Sequence, residues 1–439
     1  MSTYRNAIFY DNNDRFIPSR KRTIEGISNH IFLEEGSYCD IALKRFCNEY
    51  TPNDKSNRIL YDPFFAPLSA VLSKKAAITT IPVHIECIKM LDAPEVGNDF
   101  YLNLIDCSKS GTLAVSLNNR VYTRKHDGTI TEIAQTSRMD DCVVSVKYNS
   151  DGRFLAMGLV SGHVNIRDST FGSTVQWNAR PRDYELYANN NNNDDFGFNS
   201  TLSRNKNRIA SLDWFGSNII AAGSHRGYVT LCDIRYFNSA HTYLEGGHKP
   251  GNDICGLKWS LDGNYLASGS NDNSLVIWDM RTFKKLVQIK RFGAVKGLAW
   301  SPFDHSIIAS GGGDTDRRVM AHDIRYGVDD KEFNVFDFDA NNQITSLQWI
   351  EGIGNRNRII STGSSGNVQL WNCKSGEVIS TGIGQGRRIL CSTVDISNER
   401  LITINEGESI GYWDLSFMMK KRKNVIDQQQ QQPWFKVIR

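Results

Sequence analysis

Residues 254–279 read ICGLKWSLDGNYLASGSNDNSLVIWD, and this stretch decides the fold. Large apolar residues alternate with smaller or polar ones in three short runs, a period of two that is typical of β-strands. The runs are separated by Asp262-Gly263-Asn264 and Asn271-Asp272-Asn273, whose residues accept positive φ angles or bond their own backbone in turns. The stretch therefore predicts three short strands joined by tight turns.

The same pattern recurs along the chain. Similar sequence segments begin near Leu102, Val143, Ile209, Ile254, Val295, Ile344 and Ile389. Their spacing of roughly forty to fifty residues is the period of WD repeats. The Trp-Asp ending is kept at Trp278-Asp279 and Trp413-Asp414 and is altered in other repeats. Seven spaced copies predict an all-β fold, a seven-bladed WD-repeat β-propeller.

Closing such a ring requires one more strand. The seventh repeat stops near Leu415 after three strands, and a flat open sheet edge promotes aggregation. Residues Ile85–Leu91 alternate in hydrophobicity and lie just before the first repeat. We expect this segment to pair with blade seven.

The rest of the chain divides around the propeller. We assign residues 85–416 to the propeller, residues 1–84 to a largely disordered head and residues 417–439 to a short flexible tail. Six of the ten prolines precede residue 95, and residues 51–80 show no sustained period. The polar tract Asn189–Asp195 has nothing to bury, so we expect a disordered loop leaving blade two.

Composition limits the partners and the compartment. The formal charge is +3, and basic residues cluster only at Arg20–Arg22 and Lys420–Lys423, so nothing demands a nucleic-acid partner. Solvated linkers are the simpler interpretation of both clusters, with a nuclear import signal or an acidic partner as alternatives. Nine cysteines occur singly, which favours a reducing compartment. No run of eighteen apolar residues occurs, so we expect neither secretion nor membrane insertion.

Catalytic motifs are missing from the sequence. The nine histidines show no His-Glu-x-x-His spacing and accompany no Gly-x-Ser-x-Gly elbow. Gly311-Gly312-Gly313 precedes no Gly-Lys-Ser/Thr, so a tight turn is the better interpretation than a phosphate-binding loop. We therefore expect no enzyme, no catalytic residue, no metal and no cofactor. A propeller instead offers loops from many blades as a binding surface.

The two ends carry short motifs. Asp14-Arg15-Phe16-Ile17-Pro18-Ser19-Arg20 stands in the head, and the chain ends in Ile438-Arg439. Together these motifs resemble the Fizzy and Fizzy-related family, the activator subunits of the anaphase-promoting complex, which carry an Asp-Arg-Tyr/Phe-Ile-Pro C-box and end in Ile-Arg. Further segments within the propeller are also similar to this family: Leu91–Pro94, Asp99–Asp106, Cys255–Trp259, Gly269–Asn273 and Ala294–Pro302.

The resemblance implies three kinds of site. Docking to the complex would use Asp14, Arg15, Phe16, Ile17, Pro18, Ile438 and Arg439. Substrates with a destruction box, Arg-x-x-Leu, would meet Asp106 and Glu408 on the rim of the groove between blades one and seven. Substrates with a Lys-Glu-Asn box would meet Asn271, Asn273, Gln343 and Arg388 on the top face. Asp314 stands beside that pocket where relatives usually have Thr; it either favours the ligand's Lys or repels its Glu.

The function implied is that of a non-enzymatic substrate receptor. Its partners would be core subunits of the anaphase-promoting complex, substrates such as cyclins and securin, and checkpoint inhibitors, without nucleic acid or membrane, in the nucleus and cytoplasm. The short head and the departures at Cys107 and Asn405–Glu408 indicate a specialised member, with mitosis and meiosis both open. A generic WD-repeat scaffold and a degron-binding inhibitor of the same complex are the alternatives.

Overall fold

Alternating apolar residues build the strands of a closed ring. In this computed structural model, residues 84–138, 141–179, 207–236, 241–350, 358–397 and 399–416 are described. Within them, 28 strands form seven antiparallel sheets of four strands each. The predicted seven-bladed propeller is confirmed. The C-box-like motif, the Ile-Arg end and the polar tract Asn189–Asp195 lie outside the described residues.

The first strand of the chain, β1 (Cys87–Asp92), belongs to the last blade, and blades one to six follow in chain order. Blades one to three contain β2 (Ile105–Cys107), β3 (Leu113–Leu117), β4 (Arg120–Arg124), β5 (Ile130–Gln135); β6 (Val143–Tyr148), β7 (Phe154–Leu159), β8 (His163–Asp168), β9 (Thr174–Asn178); and β10 (Ile209–Phe215), β11 (Ile219–Ser224), β12 (Val229–Asp233), β13 (Thr242–Leu244). Blades four to six contain β14 (Ile254–Trp259), β15 (Tyr265–Ser270), β16 (Ser274–Asp279), β17 (Lys284–Lys290); β18 (Val295–Trp300), β19 (Ile307–Gly312), β20 (Arg318–Asp323), β21 (Asn334–Asp339); and β22 (Ile344–Trp349), β23 (Arg358–Gly363), β24 (Val368–Asn372), β25 (Glu377–Gly382). Blade seven contains β26 (Ile389–Asp395), β27 (Arg400–Asn405), β28 (Ser409–Asp414) and β1. Short 3₁₀ turns occur at Ile234–Tyr236 and Lys331–Phe333.

Strand β1 closes the ring as expected. It pairs antiparallel with β28, with Cys87 opposite Trp413 and Asp92 opposite Ser409. Ile85, just before the strand, is 1% exposed and packs in the core of blade seven with Trp413. The fourth strand of the last blade therefore comes from the residues preceding the first blade.

Each blade exposes two kinds of turn. Because neighbouring strands are antiparallel, the turn between the second and third strands lies at the same end of a blade as the connection into its first strand. We call this end the top face and the opposite end the bottom face. The top face therefore collects turns such as Asn271–Asn273 and the residues that precede each inner strand.

Buried polar side chains hold the individual blades together. In blade four, Trp278 Nε1 donates to Ser268 Oγ at 2.8 Å, and that hydroxyl lies 2.8 Å from His248 Nε2. Asp272 accepts from the other side of the imidazole at 3.3 Å. The Trp of the repeat is therefore fixed by its indole N–H as well as by burial.

The predicted start of the first inner strand is three residues early. Six inner strands begin where the repeats predict, but the first begins at Ile105 and not near Leu102. Asn103 lies next to blade two, because its N–H donates to Val144 O at 3.1 Å and its carbonyl accepts from Val146 N at 2.9 Å. Residues 93–104, which we call the crossing segment, thus pass from blade seven to blade one by way of several other blades.

Candidate peptide-binding face

The crossing segment organises the centre of the top face. Asn103 Nδ2 donates to Ala210 O at 2.8 Å in blade three and to Cys255 O at 2.9 Å in blade four. Lys296 of blade five donates through Nζ to Leu102 O at 2.7 Å and to Leu390 O of blade seven at 2.6 Å. Burial lowers the pKa of Lys296. One segment and one lysine thereby join blades on opposite sides of the ring.

The same segment bonds to two of the predicted pocket residues. Tyr101 Oη donates to Asn271 Oδ1 at 2.6 Å, and burial raises the pKa of that phenol. Arg388 Nη2 donates to Asn98 Oδ1 at 2.7 Å. Both bonds fix the orientation of a side chain on the top face, where recognition of a peptide requires fixed donors and acceptors.

An ion network supports this arrangement. Arg208 Nη1 lies 2.6 Å from Asp99 Oδ2, and its Nε donates to Asp253 Oδ1 at 2.9 Å. Burial alone would raise the pKa of Asp253, but hydrogen bonds from Arg208 and His225 outweigh burial and hold it at about 2. The negative charge of Asp253 is therefore retained, and it anchors the arginine that holds Asp99.

All five residues predicted for the Lys-Glu-Asn pocket lie on the top face. Asn271 and Asn273 form the turn between the second and third strands of blade four, and Asp314 lies in the equivalent turn of blade five. Gln343 and Arg388 immediately precede the inner strands of blades six and seven. The structure thus brings together residues up to 117 positions apart in sequence, from 271 to 388.

Asp314 is not a lone carboxylate. Its side chain is 69% exposed, and its Oδ1 lies 2.7 Å from Arg317 Nη2. An exposed pair of this kind is weak, about 0 to 1 kcal/mol. The carboxylate of Asp314, which this chain has where relatives usually have Thr, is therefore paired with the guanidinium of Arg317.

The prediction for Asp106 is wrong about its position. Asp106 is 4% exposed and does not lie on a groove rim. Its Oδ1 accepts from Lys147 Nζ at 2.7 Å and its Oδ2 from Tyr148 N at 2.8 Å, both in blade two. Thr393 Oγ1 of blade seven lies 3.2 Å from Oδ1. All of its partners lie on neighbouring inner strands. Asp106 therefore links the inner strands of blades one, two and seven.

A second aspartate repeats this arrangement away from the predicted groove. Asp213 of blade three accepts from Trp259 N at 2.8 Å and lies 3.5 Å from Lys258 Nζ in blade four. The two pairs line the same central cavity, which has a volume of about 100 Å³. An inner-strand Asp followed by a Lys in the next blade is therefore a recurring link between blades.

Glu408 does not lie beside Asp106. It occupies the exposed turn between β27 and β28 on the top face with φ 56°, and its Oε1 accepts from Glu95 N at 3.1 Å. Asp106 lies at the bottom end of blade one, next to the turn that follows β2. The two carboxylates predicted to act together thus lie toward opposite faces. In the groove between blades one and seven, Arg124 Nη1 instead donates to Tyr412 Oη at 3.4 Å.

The crossing segment was not predicted as part of the site. Asp99 and Tyr101 belong to the stretch that carries the family resemblance, and Asn98 lies just before it. Their polar side chains, placed just before a buried apolar run, were the available signal. The partners of these side chains are 109 to 290 residues away, so only the closed ring identifies them.

Other kinds of site are not found where the structure is described. Across those residues, no group of three or more His, Cys, Asp or Glu side chains is placed to hold a metal ion. No helix among them is long and apolar enough to cross a membrane. The seven cysteines in the same ranges form no disulfide, and burial raises the pKa of Cys255 and Cys373 to about 12.

Comparison with known proteins defines the class first. Residues 238–279 match the WD domain, G-beta repeat family. In a solved structure, "Crystal Structure of Mitotic Checkpoint Complex", one chain is 29% identical with a TM-score of 0.63, covering 75% of this chain and 91% of that one. The protein is a WD-repeat propeller.

Its relatives then identify the family. Protein FIZZY-RELATED 2 of Arabidopsis thaliana is 30% identical over 77% of this chain and 63% of its own length. WD repeat-containing protein slp1 of Schizosaccharomyces pombe is 29% identical over 91% of this chain and 77% of its own. B-type cell cycle switch protein ccs52B of Medicago truncatula is 29% identical over 77% of this chain and 63% of its own. The chain fits the Fizzy and Fizzy-related family, which confirms the resemblance, and it spans less than two thirds of the length of these two plant relatives.

Proposed function

We propose that this chain is a non-enzymatic cell-cycle regulator that activates the anaphase-promoting complex and selects its substrates. One observation carries the proposal: Asn271, Asn273, Asp314, Gln343 and Arg388 lie on a single face, and Asn271 and Arg388 bond to the crossing segment. Similarity to proteins named Fizzy-related and cell cycle switch protein supports it. In this role the chain binds substrate while ubiquitin transfer is carried out by the complex, in the nucleus and cytoplasm.

The top face suits a Lys-Glu-Asn peptide chemically. Asn and Gln amides both donate and accept, and the Arg388 guanidinium can bind a carboxylate with two parallel hydrogen bonds. Arg388 Nε already lies 3.4 Å from Glu406 Oε2, so a ligand Glu competes with an internal one. Asp314 attracts the ligand's Lys, and its pair with Arg317 limits repulsion of the ligand's Glu.

A binding measurement tests this face. We expect a labelled Lys-Glu-Asn peptide to bind the full chain, and Asn271→Ala to weaken binding by about tenfold because a central polar partner is lost. Asn264→Ala is the matched control, since Asn264 lies in the bottom-face turn of the same blade. Equal affinity of wild type and Asn271→Ala by fluorescence anisotropy would remove this pocket from the proposal.

Destruction-box recognition is proposed through Glu408 without Asp106. An exposed carboxylate in the top-face turn of blade seven, beside the crossing segment, is a partner for the Arg of Arg-x-x-Leu. Glu408→Gln should weaken an Arg-x-x-Leu peptide and leave a Lys-Glu-Asn peptide unchanged. Loss of both affinities would indicate damage to the top face and not loss of one charge.

Docking to the complex is tested by the two end motifs. Two weak contacts on one chain raise the effective concentration of each other, so loss of either weakens docking by more than its own contact. We expect the intact chain to pull down the anaphase-promoting complex, and Arg15→Ala or deletion of Ile438-Arg439 to abolish capture. Arg5→Ala is the control for a basic residue outside the motif. Failure of the intact chain to capture the complex would favour a generic scaffold.

A degron-binding inhibitor is the second candidate. Similarity to a chain of a mitotic checkpoint complex is the observation that favours it. Such a protein would keep peptide binding and lower ubiquitylation when added to a reconstituted complex. An increase in substrate ubiquitylation in the same assay supports the activator.

A further inference from the structure

Phe292 is an apolar side chain displayed in an unusual place. It lies between β17 and β18 on the top face, and it is 81% exposed, the highest value for a large apolar residue in the described part of the chain. An exposed Phe forgoes the stabilisation that burial of its ring would give. A single exposed apolar residue is common on surfaces, so its surroundings decide whether it is functional.

The backbone that carries Phe292 is firmly held. The preceding Arg291 is 8% exposed, and its guanidinium donates to Asp316 Oδ2 at 2.7 Å, Ser310 Oγ at 2.7 Å and Arg318 O at 3.0 Å. On the other side, Thr315 Oγ1 donates to Phe292 O at 2.6 Å. The ring therefore projects from a fixed base, so little conformational entropy is lost when a ligand covers it.

Phe292 also adjoins the proposed pocket. Arg291 N donates to Asn273 O at 2.7 Å, and Thr315, which bonds to Phe292, follows Asp314 directly. An extended peptide advances about 3.3 to 3.6 Å per residue. A ligand that reaches Asn273 would thus reach Phe292 within about three residues.

The charges around Phe292 favour an apolar occupant. Asp314 and Arg317 form a 2.7 Å pair, so the adjacent turn presents one charge of each sign. A basic ligand side chain would have to compete with Arg317, and an acidic one would meet Asp314. An aliphatic side chain can cover the ring without disturbing the pair.

We infer that Phe292 is a specificity-determining residue of the top-face site, contacting an aliphatic side chain within about three residues of the Lys-Glu-Asn core. The inference rests on the proposed function, because it needs a peptide bound at Asn271 and Asn273. It adds a preference for sequence outside the tripeptide. Substrates of this chain would then be selected by the tripeptide together with a neighbouring Leu, Ile or Met.

A positional peptide scan tests the inference. Fluorescence anisotropy with the full chain would compare Lys-Glu-Asn peptides carrying Leu, Ala or Lys at each of three flanking positions on either side. We expect Leu at one position to bind about fivefold more tightly than Ala, through partial burial against the ring. Phe292→Ser should abolish this preference without weakening the Ala peptides. Ile383→Ser is the matched control, since Ile383 is 80% exposed on the same face.

The outcomes distinguish failure of the role of Phe292 from failure of the proposed Lys-Glu-Asn pocket. Peptides that bind wild type without preference at any position would overturn the role of Phe292 alone. A preference for Lys, or a Leu preference that survives in Phe292→Ser, would also overturn it. If no peptide binds, the Lys-Glu-Asn pocket fails and the inference fails with it. A thermal melt of Phe292→Ser that matches wild type excludes misfolding as the cause of any loss.

Discussion

Individual carboxylates in this propeller either link blades or lie exposed in turns, and burial distinguishes them. Asp106 is almost fully buried with three partners, whereas Glu408 is exposed in a turn. The sequence pattern alone does not separate them, because both are carboxylates in or near a turn and the burial of Asp106 comes from residues distant in sequence. Their roles follow from the blades packed against them.

Asp106→Asn should destabilise the propeller. The change removes the charge opposite Lys147 Nζ and leaves that ammonium, 27% exposed, without its partner. We expect the free energy of unfolding to fall by about 2 to 3 kcal/mol. Urea denaturation would measure it, with Asp213→Asn as the matched variant for the equivalent pair. Unchanged stability together with weaker Arg-x-x-Leu binding would restore the ligand role of Asp106.

His322 should make stability depend on pH. Burial, with the nearby Arg291, lowers the pKa of His322 to about 4, while its Nδ1 lies 2.9 Å from Asn334 Oδ1. The unfolded chain takes up this proton near pH 6.5, so the contribution is complete above that pH and is lost as pH falls toward 4. We expect a loss of about 3 kcal/mol over this window.

The His322→Phe variant is the control for that pH dependence. It keeps a ring to stack on Phe333, which lies 4.8 Å from the imidazole. Denaturation curves collected at several pH values should show a smaller decrease for His322→Phe than for wild type. Parallel pH profiles for the two proteins would mean that His322 does not carry the effect.

At the scale of elements, strand β1 decides whether the sheet of blade seven is complete. Ile85 is 1% exposed and Ile88 is 47% exposed, although both are isoleucines on either side of the same strand start. We expect Ile85→Ala to lower the free energy of unfolding by about 2 to 4 kcal/mol, because its cavity lies against Trp413. Ile88→Ala should cost less than about 1 kcal/mol. Equal losses in denaturation would contradict the closure by this segment.

Periodicity predicted the strands well because each carries its own signal. Six inner strands begin at the predicted residues, and the segment Ile85–Leu91 was correctly expected to complete blade seven. The crossing segment was missed because its partners come from other blades, as with Tyr101 and Asn271. The top-face residues are expected only from the family resemblance, whereas the burial of Asp106 depends on a neighbouring strand that no local pattern reveals.

At the scale of the whole molecule, the crossing segment joins blades that are not neighbours. Asn103 bonds to blades two, three and four, and Lys296 of blade five bonds to the adjacent Leu102 and to Leu390 of blade seven. Motion of any of these blades is therefore coupled to the same short stretch. The orientation of Asn271 and Arg388 depends on it as well.

Lys296→Met should loosen this centre. The variant keeps much of the side-chain volume but leaves Leu102 O and Leu390 O without their buried donor. We expect the free energy of unfolding to fall by about 2 kcal/mol and the amides of residues 102–104 to exchange faster. Lys284→Met, at an exposed lysine of blade four, is the control. Unchanged exchange at residues 102–104 would show that Asn103 alone holds the segment.

The pairing of β1 with β28 has a mechanical consequence. Cys87 begins one strand opposite Trp413 near the end of the other, and Asp414 N donates to Glu86 O at 3.0 Å. A pull applied between residues 84 and 416 would thus load the backbone bonds of this ladder one after another, as in opening a zipper, and would not shear them all together. The ring would therefore yield first at its own seam under such tension.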